Sequence, residues 1–215
     1  MNTPNSLHSQ LSIYQASFLA KAPAEKIKAY EEGIDAVLQS GILDQALATG
    51  DEAPDFQLSN ATGQAISLAG SLSKGPVILT WYRGGWCPYC NMSLRALQEY
   101  LPAFQEKGAN LLSLTQEMPD HSINTQQKHA LQFEVLTDQN NEVARKYGIV
   151  FSLTPEVAAY YKAAFDLEAY NGNTSNELPL AASYVIQPNG RISWAFLDVD
   201  YRNRAEPEAI LAALG

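Results

Sequence analysis

Residues 75–97 read GPVILTWYRGGWCPYCNMSLRAL, and no other stretch constrains the fold as tightly. An uninterrupted apolar run opened by Gly75-Pro76 is the pattern of a strand buried inside a sheet. Gly84 and Gly85 break it. Leu94, Leu97, Leu101 and Phe104 then recur at helical spacing, which predicts a helix over 88–106. The segment is therefore strand, tight turn and helix. Cys87 and Cys90, the only cysteines in the chain, fall at the start of that helix.

At a helix start, unpaired N–H groups and the positive end of the dipole stabilise a thiolate, the reactive form of cysteine. Pro88 suits the first helical position, where its missing N–H costs nothing, and it stiffens the turn between the sulfurs. The i, i+3 spacing puts both thiols on one face within bridging reach. Gly84 and Gly85 let the backbone turn sharply, which predicts an accessible Cys87. Trp86 and Tyr89 either flank the thiols as a docking surface or pack at the strand end, and Trp81 and Tyr82 read as core. The chemistry this spacing supports is a reversible dithiol/disulfide couple. A zinc site needs four ligands, and His8, His121 and His129 are scattered, so no metal is expected. A cysteine protease would need a positioned histidine, and two thiols at a capped helix start are rarely inert.

Around this segment, strands are predicted on either side of a turn at 60–63 and over 75–82, 109–115 and 133–138. Helices are predicted over 119–130, 140–148 and 206–214. Residues 152–178 read as an inserted helix plus loop, and 182–198 as a hairpin turning at Pro188-Asn189-Gly190. Strands alternating with helices give an α/β class with a mixed central sheet flanked by helices. Residues 1–48 form an N-terminal helical extension, and 49–215 the main domain. In the extension Leu11, Tyr14 and Phe18, then Ile27, Tyr30, Ile34 and Val37, keep a helical period, with Pro23 as a start and Ser40-Gly41 as a stop. These faces cover the chain's own domain or form a homodimer contact.

With 215 residues and 46% hydrophobic composition, the chain can build one ordinary core. Its formal charge of -9, from 23 acidic and 14 basic residues, argues against a nucleic-acid partner. No stretch approaches the roughly 18 apolar residues of a membrane span, and MNTPNSLHSQLSIYQ lacks the pattern of a secretory leader. A cytoplasmic protein without membrane contact is the expectation.

The segments DEAPDFQL, GPVILTWYRGGWCPYCNMSLRAL, EVARKYGI and SYVIQPNGRI resemble the peroxiredoxin-like branch of the alkyl hydroperoxide reductase/thiol-specific antioxidant family, within the thioredoxin-fold superfamily. The likeness covers roughly residues 49–215, and Pro88-Tyr89 is similar to the pair between the cysteines of glutaredoxins. It implies a thioredoxin-like fold and thiol-dependent reduction of hydrogen peroxide or organic hydroperoxides. It also implies recharging by thioredoxin or a glutaredoxin system, with no cofactor beyond that external dithiol. In the family motif Pro-x-x-x-Thr-x-x-Cys the last residue is the peroxidatic cysteine. Cys90 matches it, whereas Cys87 stands at the Thr position and Arg83 at the Pro position. Peroxiredoxins also place an active-site arginine just before the strand that matches SYVIQ, and thioredoxins a cis-proline near the same point. Here that position is Ala181. Arg83 is a candidate replacement cation. Arg202 and Arg204 are two more, although both read first as surface residues. Asp198 and Asp200 beside Tyr201 read as a solvated hairpin end before they read as proton-transfer groups.

The predicted site is thus Cys87 and Cys90, supported by Arg83, Gly84, Gly85, Trp86, Pro88 and Tyr89. One thiolate attacks a peroxide O–O bond and becomes a sulfenic acid, and the other condenses with it to a disulfide. External dithiol exchange restores the pair. The family alignment favours Cys90 as the attacker, while position at the helix tip favours Cys87. A thiol–disulfide oxidoreductase acting on protein or glutathione disulfides is the alternative. A third reading is a non-enzymatic redox sensor working through the N-terminal helices.

Overall fold

The computed structural model describes residues 6–215. Three helices come first: α1 (Leu7–Leu19), α2 (Ala24–Gln39) and α3 (Ile42–Gln45). The Ser6 hydroxyl accepts from the Ser9 N–H and caps α1, and Gly41, at φ 69°, separates α2 from α3. Next come β1 (Gln57–Asn60), β2 (Ala65–Ser67), α4 (Leu68–Leu72) and β3 (Val77–Trp81). Val77, Leu79 and Trp81 face one core while Ile78 and Tyr82 face the other, the alternation of a strand covered on both sides.

The cysteine-bearing helix α5 (Pro88–Glu106) leads to β4 (Asn110–Thr115), α6 (Pro119–Lys128), β5 (Glu134–Thr137) and α7 (Glu142–Lys146). Then β6 (Val150–Ser152), α8 (Pro155–Phe165), α9 (Leu167–Asn171) and β7 (Glu177–Pro179) precede the hairpin β8 (Ser183–Ile186) and β9 (Ile192–Phe196). α10 (Pro207–Ala213) closes the chain. The seven-stranded sheet runs β2-β1-β5-β4-β3-β8-β9, with β3, β4 and β5 parallel and the outer strands antiparallel. This is the mixed sheet flanked by helices that the strand–helix alternation predicts.

Residues 152–178 depart from the sequence reading. They hold two helices rather than one, and they lie between the short strands β6 and β7, paired antiparallel with Val150 opposite Pro179. Strands of three residues are too short to show a period, so the pattern could not reveal them. The apolar faces of the extension are covered in part by the chain itself, while Ile13, Leu19 and Leu38 stay exposed. Leu7 and Leu11 of α1 join the core beneath α5, and α2 packs on α8. Among the described residues, no helix is long and apolar enough to cross a membrane.

Candidate active site

The parallel strands β3 and β4 end at the same edge of the sheet, where loops of α/β folds gather functional groups. The chain leaves β3 through Tyr82 and Arg83 and turns at Gly84, whose φ of 144° is open to glycine. A Cβ on Gly84 would stand 2.2 Å from Trp86 Nε1, and one on Gly85 would stand 2.1 Å from Thr125 Oγ1, so neither position has room for a side chain. From the end of β4, the buried carboxylate of Glu117 reaches under this turn. It accepts from the Gly85 N–H at 2.9 Å, the Tyr82 hydroxyl at 2.6 Å and the Thr125 hydroxyl at 3.4 Å. Asn91 ties the turn to α5 by donating to the Gly85 carbonyl at 2.9 Å. Cys87 caps α5, its N–H donating to the Gly84 carbonyl at 3.0 Å, and Pro88 occupies the first turn.

The two sulfurs occupy different electrostatic settings. Cys90 Sγ accepts from the Arg83 backbone N–H at 3.4 Å and from Arg204 Nη2 at 3.2 Å. Burial alone would push the Cys90 thiol up. The hydrogen bond from Cys87, the Arg204 and Arg83 guanidinium groups and the Arg83 N–H outweigh burial and hold Cys90 well below the ordinary thiol range. Cys87 moves the opposite way, pushed well above that range by burial, by its hydrogen bond to Cys90 and by the Cys90 charge. Cys90 therefore carries the charge and Cys87 keeps the proton.

Two sequence expectations need correction here. Cys87 is not accessible: it is 2% exposed and Cys90 0%. Tyr14 of α1 packs edge-on to Tyr89, and Tyr161 and Phe165 of α8 pack on Trp86, so the extension and α8 close over the turn. Nor is Arg204 a surface residue. It is 8% exposed, its guanidinium donates to the carbonyls of Tyr201 and Asn203, and its remaining Nη reaches Cys90. The helix dipole favours the sulfur at the tip and the two cations act on both sulfurs, but the donors, Cys87, Arg204 and the Arg83 N–H, converge on the sulfur one turn in, and they prevail.

Arg83 is 1% exposed. Its Nη2 donates to the Tyr161 hydroxyl at 2.5 Å, and its guanidinium lies over the rings of Trp86, Tyr161 and Tyr201 at 4.1–5.4 Å from their centroids. Beside it a cleft of about 190 Å³ runs between α1, α2 and α8, with Arg83 and Cys87 among its walls. Arg202 is held at the rim by Asp200, at 2.8 Å, and by Glu31. Asp198 accepts from the Asp200 N–H and from Asn203, so both acids are spent on the loop after β9. Ala181 is buried and offers no charge.

Sequence reasoning missed Glu117, Tyr161 and Tyr201. An acidic residue directly after the buried run LLSLT was the available signal for Glu117, since the ends of parallel strands gather functional groups. The two tyrosines carry no local mark.

Over 108 residues, half of this chain, 28% of positions are identical to a thiol-disulfide oxidoreductase ResA of Bacillus thuringiensis subsp. konkukian, covering 61% of that protein. A chloroplastic peroxiredoxin Q of Oryza sativa subsp. japonica is 24% identical over 163 residues, 75% of this chain and 62% of that one. The chain thus spans about three-fifths of the length of these relatives. The crystal structure of peroxidoxin BcpB from Mycobacterium tuberculosis superposes with a TM-score of 0.62 at 20% identity, covering 78% of this chain and 96% of that one. This likeness shows a shared thioredoxin-like fold. The sequence model of the AhpC/TSA family matches residues 49–195, a stretch that contains the turn, both cysteines, Arg83 and Glu117, and the chain belongs to that family.

Proposed function

We propose that this protein is a thiol-dependent peroxidase in which Cys90 attacks and Cys87 resolves. One observation carries the reading: a fully buried Cys90 sulfur accepts hydrogen bonds from the Arg83 N–H and the Arg204 guanidinium. The Cys90 thiolate displaces the far oxygen of a hydroperoxide. The O–O bond breaks, an S–O bond forms, and the leaving alkoxide or hydroxide takes a proton to become alcohol or water. The negative charge moves from sulfur to oxygen beside Arg83 and Arg204, which stabilise it without rearranging. The Cys87 thiol then attacks the Cys90 sulfenic acid, forming the S–S bond and releasing water. With both sulfurs in one turn, α5 need not unwind. An external dithiol of thioredoxin or glutaredoxin type takes up the disulfide by exchange.

A second reading, thiol–disulfide exchange, is favoured by the placement of Cys87: it lines the cleft whereas Cys90 does not. Stopped-flow mixing of the reduced protein with hydrogen peroxide and with cumene hydroperoxide separates the two. A peroxidase reacts far faster than free cysteine at the same pH and ends in one Cys87–Cys90 disulfide. Its Cys87→Ser variant stops at a Cys90 sulfenic acid, and its Cys90→Ser variant loses the fast phase. Rates no better than free cysteine would reject the peroxidase and leave exchange in first place.

A further inference from the structure

The cleft beside Cys87 has a wall that the family resemblance does not account for. Tyr14, Phe18, Lys26 and Tyr30 line it, and all four precede the matched residues 49–195. Trp86 and Phe165, stacked at 4.5 Å between centroids, line the same cleft. Rings thus make up much of the wall of a space of about 190 Å³. An apolar cavity of about 150 Å³ suffices to hold benzene, so one ring with a short substituent fits.

The charges at the cleft are unbalanced in a particular direction. Arg202 is matched by Asp200 and Glu31. Arg83 and Lys26 have no carboxylate partner among the described residues: Lys26 lies over the rings of Tyr30 and Tyr160, and Arg83 over three others. Within Arg83, buried Nε and Nη1 find no acceptor, although buried donors are normally satisfied. The Cys90 thiolate takes its hydrogen bonds from the Arg83 backbone and from Arg204; the Arg83 guanidinium acts on it through charge alone and leaves its own Nε and Nη1 donors unused. A chain of net charge -9 has thus placed two cations without a carboxylate partner, one of them buried, around an aromatic space.

We propose that this cleft binds a carboxylate borne on a single aromatic ring, with the carboxylate between Arg83 and Lys26 and the ring between Tyr30 and Phe165. Cation and rings act together: a bare carboxylate would leave the walls uncovered, and a neutral ring would leave the Arg83 donors without an acceptor. Because Cys87 shares the cleft, an occupied site shields the resolving thiol. The inference goes beyond the peroxidase reading and does not depend on it, because binding to the reduced protein needs no turnover.

Titration of the full reduced chain with phenylacetate, read by calorimetry and by indole fluorescence from Trp86, tests it. A ligand of this size should bind saturably with a Kd on the order of 1 mM. Phenylacetamide and acetate should each bind at least about tenfold more weakly. Bound phenylacetate should slow alkylation of Cys87 in proportion to occupancy. Arg83→Gln should weaken binding about tenfold or more. Since that variant also disturbs the turn, Phe18→Ala, which lines the cleft and stacks on Tyr30, should weaken it severalfold on its own. Absence of saturable binding by the folded wild-type chain would overturn the proposal. So would phenylacetamide binding as tightly as phenylacetate, or an unchanged Kd in Phe18→Ala. A chain that binds phenylacetate but reacts slowly with peroxides would reject the peroxidase and leave the site standing. A fast peroxidase that ignores phenylacetate would do the reverse.

Discussion

Cys90 owes its charge to Cys87 and Arg83 nearby and to one group far away in sequence: Arg204 lies 114 residues downstream. Replacing Arg204 with Gln keeps a donor near the sulfur but removes the cation. The Cys90 pKa should then climb from well below the ordinary thiol range toward it. Each pH unit of that climb removes about tenfold of the thiolate once the pKa exceeds the working pH. Iodoacetamide labelling of Cys90 against pH measures this directly; in the variant the rate should fall at neutral pH and recover at alkaline pH. Glu117 acts with the opposite sign. Burial raises its carboxyl pKa, and the Cys90 charge adds to the rise. A carboxyl raised in the folded state stabilises the fold below its unfolded pKa and loses that contribution as pH rises through the folded value. Glu117→Gln should therefore gain stability relative to wild type as pH rises above the ordinary carboxylate range, and its Cys90 should titrate lower still. Glu117→Ala should instead release the Gly85 N–H and loosen the turn, which urea denaturation would show as a loss of about 1–3 kcal/mol. Arg204 was legible only as one of three candidate cations, and Glu117 only through a positional hint. Nothing in DYRNR distinguishes Arg204 from its less buried neighbours, because its role is set by where the loop after β9 folds back.

The elements were more legible than the contacts between them. Long segments with a clear period, such as α2 and α5, and the uninterrupted apolar run of β3 follow the sequence reading closely, while α4, β6 and β7, of three to five residues, carry no period to read. The amphipathic faces of α1 and α2 were evident, but a face does not name what covers it. Leu11 of α1 is 4% exposed in the core under α5, so Leu11→Ala should destabilise the protein by about 2–4 kcal/mol in chemical denaturation. It should also loosen the edge-on contact of Tyr14 with Tyr89 and so speed alkylation of Cys87, the thiol that α1 helps to cover. A surface-only α1 would change neither quantity.

Across the whole molecule, the dithiol sits where the sheet edge, α5, the N-terminal extension and α8 meet. Chemistry with distant sulfurs would require large rearrangement, whereas Cys87 and Cys90 share one helical turn and each shifts the other's pKa. Forming the disulfide removes the Cys90 charge, so Arg204 and the Arg83 N–H lose their anion and the loop after β9 loses a tether. Oxidation should therefore leave α5 folded and raise hydrogen exchange mainly around residues 83–90 and 198–205, with protection of β3, β4 and β8 unchanged. Comparing reduced and peroxide-oxidised protein by exchange mass spectrometry, with size measured by light scattering, decides the matter. Local loosening at constant mass fits a molecule that cycles in place. Release of α1 and α2 together with a change in mass would instead mark the N-terminal helices as a redox output and favour the sensing role.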